Sequence, residues 1–178
     1  AIGVALACAS AGIIIGAITL TGLGLKLGNG LVELAGGNLL VTLIFTMITS
    51  LILGMGVPTT ANYIITSTIA APALIQLGVH PLAAHMFVFY FGIVADITPP
   101  VALAAYAGAG IAKSNPFWTG VTATKLAIGA FLTPYIFVYN TSMLWINTTW
   151  YAMLQTLITS CAGMTAIGAA MIGYFVAP

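Results

Sequence analysis

Nine residues, Gly54-Met55-Gly56-Val57-Pro58-Thr59-Thr60-Ala61-Asn62, break an otherwise apolar stretch with two glycines, a proline and a cluster of small polar side chains. A second break, Asp96-Ile97-Thr98-Pro99-Pro100, follows some forty residues later. Lipid cannot satisfy free N–H and C=O groups, so irregular backbone at membrane depth survives only where protein buries it or where it lines a cavity. Two such breaks in one chain are the sequence signature of a binding site built from discontinuous helices, as carriers build theirs.

That argument needs the chain to sit in a membrane, and composition supplies this. Of 178 residues, 61% are hydrophobic and 3% charged, whereas a soluble domain carries about 25% charged residues. The charges are Lys26, Lys113 and Lys125 against Glu33 and Asp96, a net +1. Arginine is absent. There is accordingly no basic patch for nucleic acid and no guanidinium fork for a carboxylate. Cys8 and Cys161 lie far apart in apolar sequence and read as small hydrophobes rather than a disulfide or a metal pair. The chain opens on Ala1 within a hydrophobic run, without a basic leader, so it is expected to be a piece of a longer polypeptide.

A spanning helix takes about 20 apolar residues. The expected fold is all-α and polytopic, with spanning helices, a re-entrant helical hairpin and a discontinuous helix. Residues 1–38 hold a first span, Ile2 to Leu25, and a linker from Lys26 to Asn38 in which Leu31, Val32, Leu34 and Ala35 make a short interfacial helix. Gly12 and Gly16 in the first span have the spacing of a close helix contact or of ordinary glycine usage. Residues 39–79 form a hairpin with arms Leu39–Leu53 and Thr59–Leu77 and its tip at 54–60. The uncharged tip fits a buried, re-entrant turn better than a loop between two full spans. Residues 80–113 form a helix broken at 98–100, with halves Leu82–Ile97 and Val101–Ala112. A simple proline kink is the alternative there. Residues 114–140 hold a span from Phe117 to Val138. Residues 141–178 close with an aromatic interfacial loop and a final span from Trp150 to Val176.

A broken helix exposes free carbonyls at the end of its first half and free N–H groups at the start of its second. The carbonyl end suits a hard cation and the N–H end an anion. The candidate site residues at the hairpin tip are therefore Gly54, Gly56, Pro58, Thr59, Thr60 and Asn62. At the broken helix they are Asp96, Thr98, Pro99 and Pro100. Asp96 has two readings: an ion site, or a cap on the second half-helix. Lys125 reads as a snorkelling cation. His80 and His85 lack the neighbours of a metal site, with His85 packed against a helix and His80 facing the headgroups. The sequons at Asn140 and Asn147 are short enough to arise by chance. No catalytic constellation is visible and no cofactor is called for.

The run from Gly54 to Ile64, followed by Ala71-Pro72-Ala73-Leu74, resembles the large membrane subunit of tripartite ATP-independent periplasmic (TRAP) transporters. So does Phe89 to Ala107, which carries the second break, followed by Asn115-Pro116-Phe117. Ile18 to Leu27 is similar to the fused variety, in which small and large subunits share one polypeptide. The resemblance covers about Gly12 to Asn140 and identifies the chain with the C-terminal half of that permease. It implies an elevator-type secondary carrier in a bacterial or archaeal cytoplasmic membrane, importing organic anions and usually coupled to sodium. The partners it implies are a periplasmic substrate-binding protein, the lipid bilayer, and the rest of the permease, namely a first repeat and the small-subunit helices. Two other readings of the breaks, a channel lining and a packing feature of a structural membrane subunit, follow from the residues alone.

Overall fold

The computed structural model describes residues 2–173, leaving out the side chains of residues 2–5, 7, 8, 11, 15, 19 and 172. The expectation for Cys8 and the end of the last span beyond Gly173 lie outside the described residues. The chain is helical throughout, without strands among the described residues, as the all-α expectation requires. It divides into two compact units, Ala1–Asp96 and Ile97–Pro178.

The first unit holds α1 (Ile2–Thr21), α2 (Leu23–Leu34), α3 (Leu39–Gly54), α4 (Thr59–Ile69), α5 (Ala71–Gln76) and α6 (Pro81–Val94), followed by a 3-10 turn at Ala95–Ile97 that crosses the boundary. Its core is α6. Ala83, Ala84, Phe87, Val88 and Phe91 are fully buried, and Phe87 and Phe91 meet edge to face at 4.9 Å. Local chemistry sets the helix starts. The Asn38 carboxamide oxygen accepts from the N–H groups of Leu40 (3.0 Å) and Val41 (3.3 Å), and His80 Nδ1 accepts from the N–H of Leu82 (3.2 Å). Pro81 fills the first helical position, where a missing N–H costs nothing. His80 thus has a structural post as a helix cap.

The linker expected from Lys26 to Asn38 is instead mostly helix. The first span stops at Thr21, Gly22 takes the left-handed φ of 63° that favours glycine, and α2 begins at Leu23. Glycines argue against helix by propensity, but Gly24 and Gly28 here serve as contact points. A Cβ on Gly24 would lie 2.6 Å from the carbonyl oxygen of Thr68, and one on Gly28 would lie 3.5 Å from the nitrogen of Ala73. The second hairpin arm, expected as one helix, is two. Pro72 has no N–H to give the Thr68 carbonyl, the ladder lapses at Ala70, and Gly24 packs against that carbonyl.

The second unit holds α7 (Leu103–Ala112), α8 (Pro116–Leu126), α9 (Ile128–Tyr139), a 3-10 turn at Thr141–Leu144 and α10 (Trp150–Ile172). The Asn115 carboxamide caps α8 by accepting from the Trp118 N–H at 3.2 Å, and the Thr149 hydroxyl caps α10. The single span expected from Phe117 to Val138 is a bent pair, turning by 42° at Ala127. There the Ala130 N–H reaches back three residues to the Ala127 carbonyl, and Gly129 lets the chain lie against Met164 of α10. Tyr139, Trp145 and Trp150 are exposed, with the two indoles edge to face at 5.7 Å, consistent with an interfacial loop.

Among the described residues α10 alone is long and apolar enough to cross a membrane, and the count rises to three if each bent pair serves as one span. Leu20 and Ile111 are 90% and 88% exposed. Large apolar side chains facing outward in such numbers suit hydrocarbon, not water. The chain is an all-α membrane protein.

Candidate functional site

α3 runs into the first break with a straight polar stripe on its buried side. Thr42, Thr46, Ser50 and Gly54 recur every fourth residue and so share one face, and all four are buried. The Thr42 hydroxyl donates back to the Asn38 carbonyl at 2.9 Å. The hydroxyls of Thr46 and Ser50 have no hydrogen-bond partner among the described residues, although both are fully buried. Such orphaned groups are uncommon in native interiors.

At the tip Met55 is extended and Gly56 takes φ 72°. Pro58 stands just outside α4 as its cap residue. The first intrahelical bond of α4 runs from the Asn62 N–H to the Pro58 carbonyl, 2.9 Å. The N–H groups of Thr59, Thr60 and Ala61 therefore open the helix without an intrahelical acceptor, and no side chain caps them. Pro58, Thr59 and Thr60 are exposed.

Asn62, one turn farther in, is not at the tip surface. It is 2% exposed and wedged between two glycines. A Cβ on Gly54 would fall 2.9 Å from its amide nitrogen, and a Cβ on Gly92 of α6 would fall 2.7 Å from the same atom. Its carbonyl oxygen has no hydrogen-bond partner among the described residues. Gly92 was not a candidate from sequence, where it looks like any glycine in a membrane helix. The four-residue spacing of Thr46, Ser50 and Gly54 is a signal that the sequence carries and that was not used. Beside Asn62, the Tyr63 hydroxyl meets Nδ1 of His85 at 3.0 Å, tying α4 to α6.

The second break straddles the unit boundary, with Asp96 on the first unit and Thr98, Pro99 and Pro100 on the second. Asp96 is half-buried, and its carboxylate has no hydrogen-bond partner among the described residues. The second half-helix starts at Leu103 rather than Val101, because Ala102 takes a left-handed φ of 36°. The cap position of α7 is Ala102, whose side chain offers no acceptor. The second unit furnishes its own ties. The Thr124 hydroxyl donates to the Ile97 carbonyl at 3.1 Å, and the Tyr106 hydroxyl donates to the Pro100 carbonyl at 2.7 Å. Gly120 gives the break room, since its Cβ would meet Pro99 at 3.2 Å and Ala102 and Tyr106 at 3.3 Å. None of Thr124, Tyr106 and Gly120 had a sequence signal, because their role depends on α7 and α8 folding together.

The first break therefore offers free N–H groups, exposed threonine hydroxyls and, one turn inward, an unpartnered amide oxygen. The second offers a carboxylate and carbonyls already engaged by hydroxyls. Among the described residues no group of three or more His, Cys, Asp or Glu side chains could hold a metal ion. A family model described as tripartite ATP-independent periplasmic transporter, DctM component, matches residues 1–152. No curated protein and no solved structure matches the chain.

Proposed function

Since the chain belongs to the DctM-component family of tripartite ATP-independent periplasmic transporters, a family of transporter components rather than enzymes, we propose that it forms part of a sodium-coupled carrier for organic carboxylates. A periplasmic binding protein delivers the substrate, and the remainder of the permease polypeptide completes the path across a bacterial or archaeal cytoplasmic membrane. The observation that carries this reading is the start of α4. Three backbone N–H groups and the hydroxyls of Thr59 and Thr60 stand at an uncharged, exposed turn. A helix N-terminus of this kind attracts a carboxylate by its free donors and by the positive end of the helix dipole.

Sodium is a hard cation and takes oxygen ligands. The carbonyls ending α3 at Gly54 and the turn through Gly56 to Pro58 supply them on the hairpin side, with the Asn62 oxygen one turn behind. Asp96, Thr98, Pro99 and Pro100 are the corresponding groups at the broken helix. At the hairpin tip itself the donors to an anion are backbone N–H groups and threonine hydroxyls, with no arginine in this sequence.

Reconstitution of the full-length permease with its binding protein tests the proposal. Uptake of carboxylates that needs both a sodium gradient and the binding protein is expected. Uptake driven by a proton gradient alone would move the coupling role to Asp96, and non-saturating flux would replace the carrier by a channel.

A further inference from the structure

The amphipathic helix α2 presents three faces. Gly24 and Gly28 press against the backbone of α4 and α5, which fixes the helix in place. Lys26, Asn29 and Glu33, spaced three and four apart, form a polar edge, and Asn29 is held there by the Gln76 side chain at 2.6 Å. Leu27, Leu31 and Leu34 form the third face. Together with Leu53 of α3 and Ile69 of α4 they line a groove of about 300 Å³. Lys26 stands at its edge, the sole cation of the first unit. It makes no ion pair or side-chain hydrogen bond among the described residues.

We infer that this groove is a binding site for an anionic phospholipid, with one acyl chain along Leu27, Leu31 and Leu34 and the phosphate against Lys26. The lining demands an apolar occupant, and the free ammonium at its end demands a negative one. Both are met by one amphiphile. The groove follows α2 from Lys26 to Leu34, roughly 12 Å at helical rise, a length suited to an extended chain. Basic pockets between membrane helices take lipid headgroups for the same reason. Glu33 sits two turns along the polar edge and does not line the groove, so it leaves the attraction at Lys26 intact. The site does not depend on the transport reading, since none of its residues was assigned to the hairpin tip.

Native mass spectrometry of the delipidated full-length permease tests it, with dioleoyl phosphatidylglycerol and dioleoyl phosphatidylcholine offered at equal concentration. Preferential retention of phosphatidylglycerol is expected. Lys26→Ala should weaken that retention about fivefold, the effect of one lysine near an anionic headgroup, while Lys113→Ala leaves it unchanged. Gly30→Leu fills the groove and should abolish retention at this site. It should fold, because a Cβ there meets nothing within 4 Å and leucine favours helix over glycine. Equal retention of the two lipids, or full retention in Lys26→Ala, would overturn the headgroup assignment. Full retention in Gly30→Leu would show that another part of the polypeptide covers the groove. Displacement by soluble glycerol phosphate at matching concentration would make it a site for small anions instead.

Discussion

The hairpin tip and the proline break look alike in sequence, each a Gly/Pro interruption with small polar residues, yet the chain resolves them in opposite ways. At the proline break hydroxyls of the second unit close on the loose carbonyls: Thr124 on Ile97 and Tyr106 on Pro100. Behind the hairpin tip nothing comparable happens. Asn62 is buried with an oxygen that meets no partner among the described residues, in a slot that glycine at positions 54 and 92 leaves for its side chain, and the Thr46 and Ser50 hydroxyls farther back along α3 are likewise buried without one. A buried polar group without a partner costs about 1–3 kcal/mol. The proline break is thus stabilised by its own hydrogen bonds, while the hairpin carries unspent hydrogen-bonding capacity. Capacity of that kind is what a ligand or ion would use.

The sharpest way to break this contrast is to fill the slot. Gly92→Ala places a methyl 2.7 Å from the Asn62 amide nitrogen and 3.2 Å from its Cγ. Asn62 must leave its rotamer or α6 must shift, and overpacking of this sort costs about 1–3 kcal/mol. Thermal unfolding of the reconstituted permease should show that loss together with a fall in uptake. Undiminished stability would mean that the slot is looser than the geometry states.

Thr124→Val addresses the other side. It removes a hydroxyl whose one proton is shared between the Ile97 carbonyl (3.1 Å) and the Gly120 carbonyl of its own helix (3.0 Å) while keeping the shape of the side chain, and a net loss of about 0.5–1.5 kcal/mol is expected. Tyr106→Phe should lose a similar amount at Pro100, and the two should nearly add if each closes a separate carbonyl. Thr46→Val should behave oppositely. Taking away a buried hydroxyl that has no partner removes a desolvation penalty, so stability holds or rises by up to about 1 kcal/mol. A clear loss in Thr46→Val would show that the hydroxyl is bonded to something other than protein, and the contrast between the regions would narrow.

How far these features could be read in advance follows from where their causes lie. The breaks at Gly54–Pro58 and Thr98–Pro100 are local chemistry: prolines without donors and glycines free to take positive φ announce themselves in any sequence. The start of α3 at Asn38 is legible for the same reason. The helical course of α2 was not, because Gly24 and Gly28 argue against helix until α4 and α5 are there to pack upon. Gly92, Gly120, Thr124 and Tyr106 share that difficulty, since each acts on a residue that only tertiary structure brings near. Asn62 was singled out as a candidate, but its burial behind the tip depends on α6 and could not be foreseen from its place after Thr60.

The mildest substitutions separate binding from folding at the tip itself. Thr59 and Thr60 are exposed, and neither side chain makes a hydrogen bond to protein among the described residues. Exposed positions of this kind move stability by no more than about 0.5 kcal/mol. Thr59→Val and Thr60→Val keep the side-chain volume and the backbone donors of α4 while removing one hydroxyl each. If the hydroxyls meet substrate or sodium, the concentration of either giving half-maximal uptake should rise about ten- to 150-fold per hydroxyl, the worth of a hydrogen bond to a charged group, with thermal unfolding unchanged. Because α4 still presents its N–H groups, residual saturable uptake is expected even in the double variant. Loss of stability in step with uptake would instead assign both threonines to the structure of the turn, and the tip would then resemble the proline break after all.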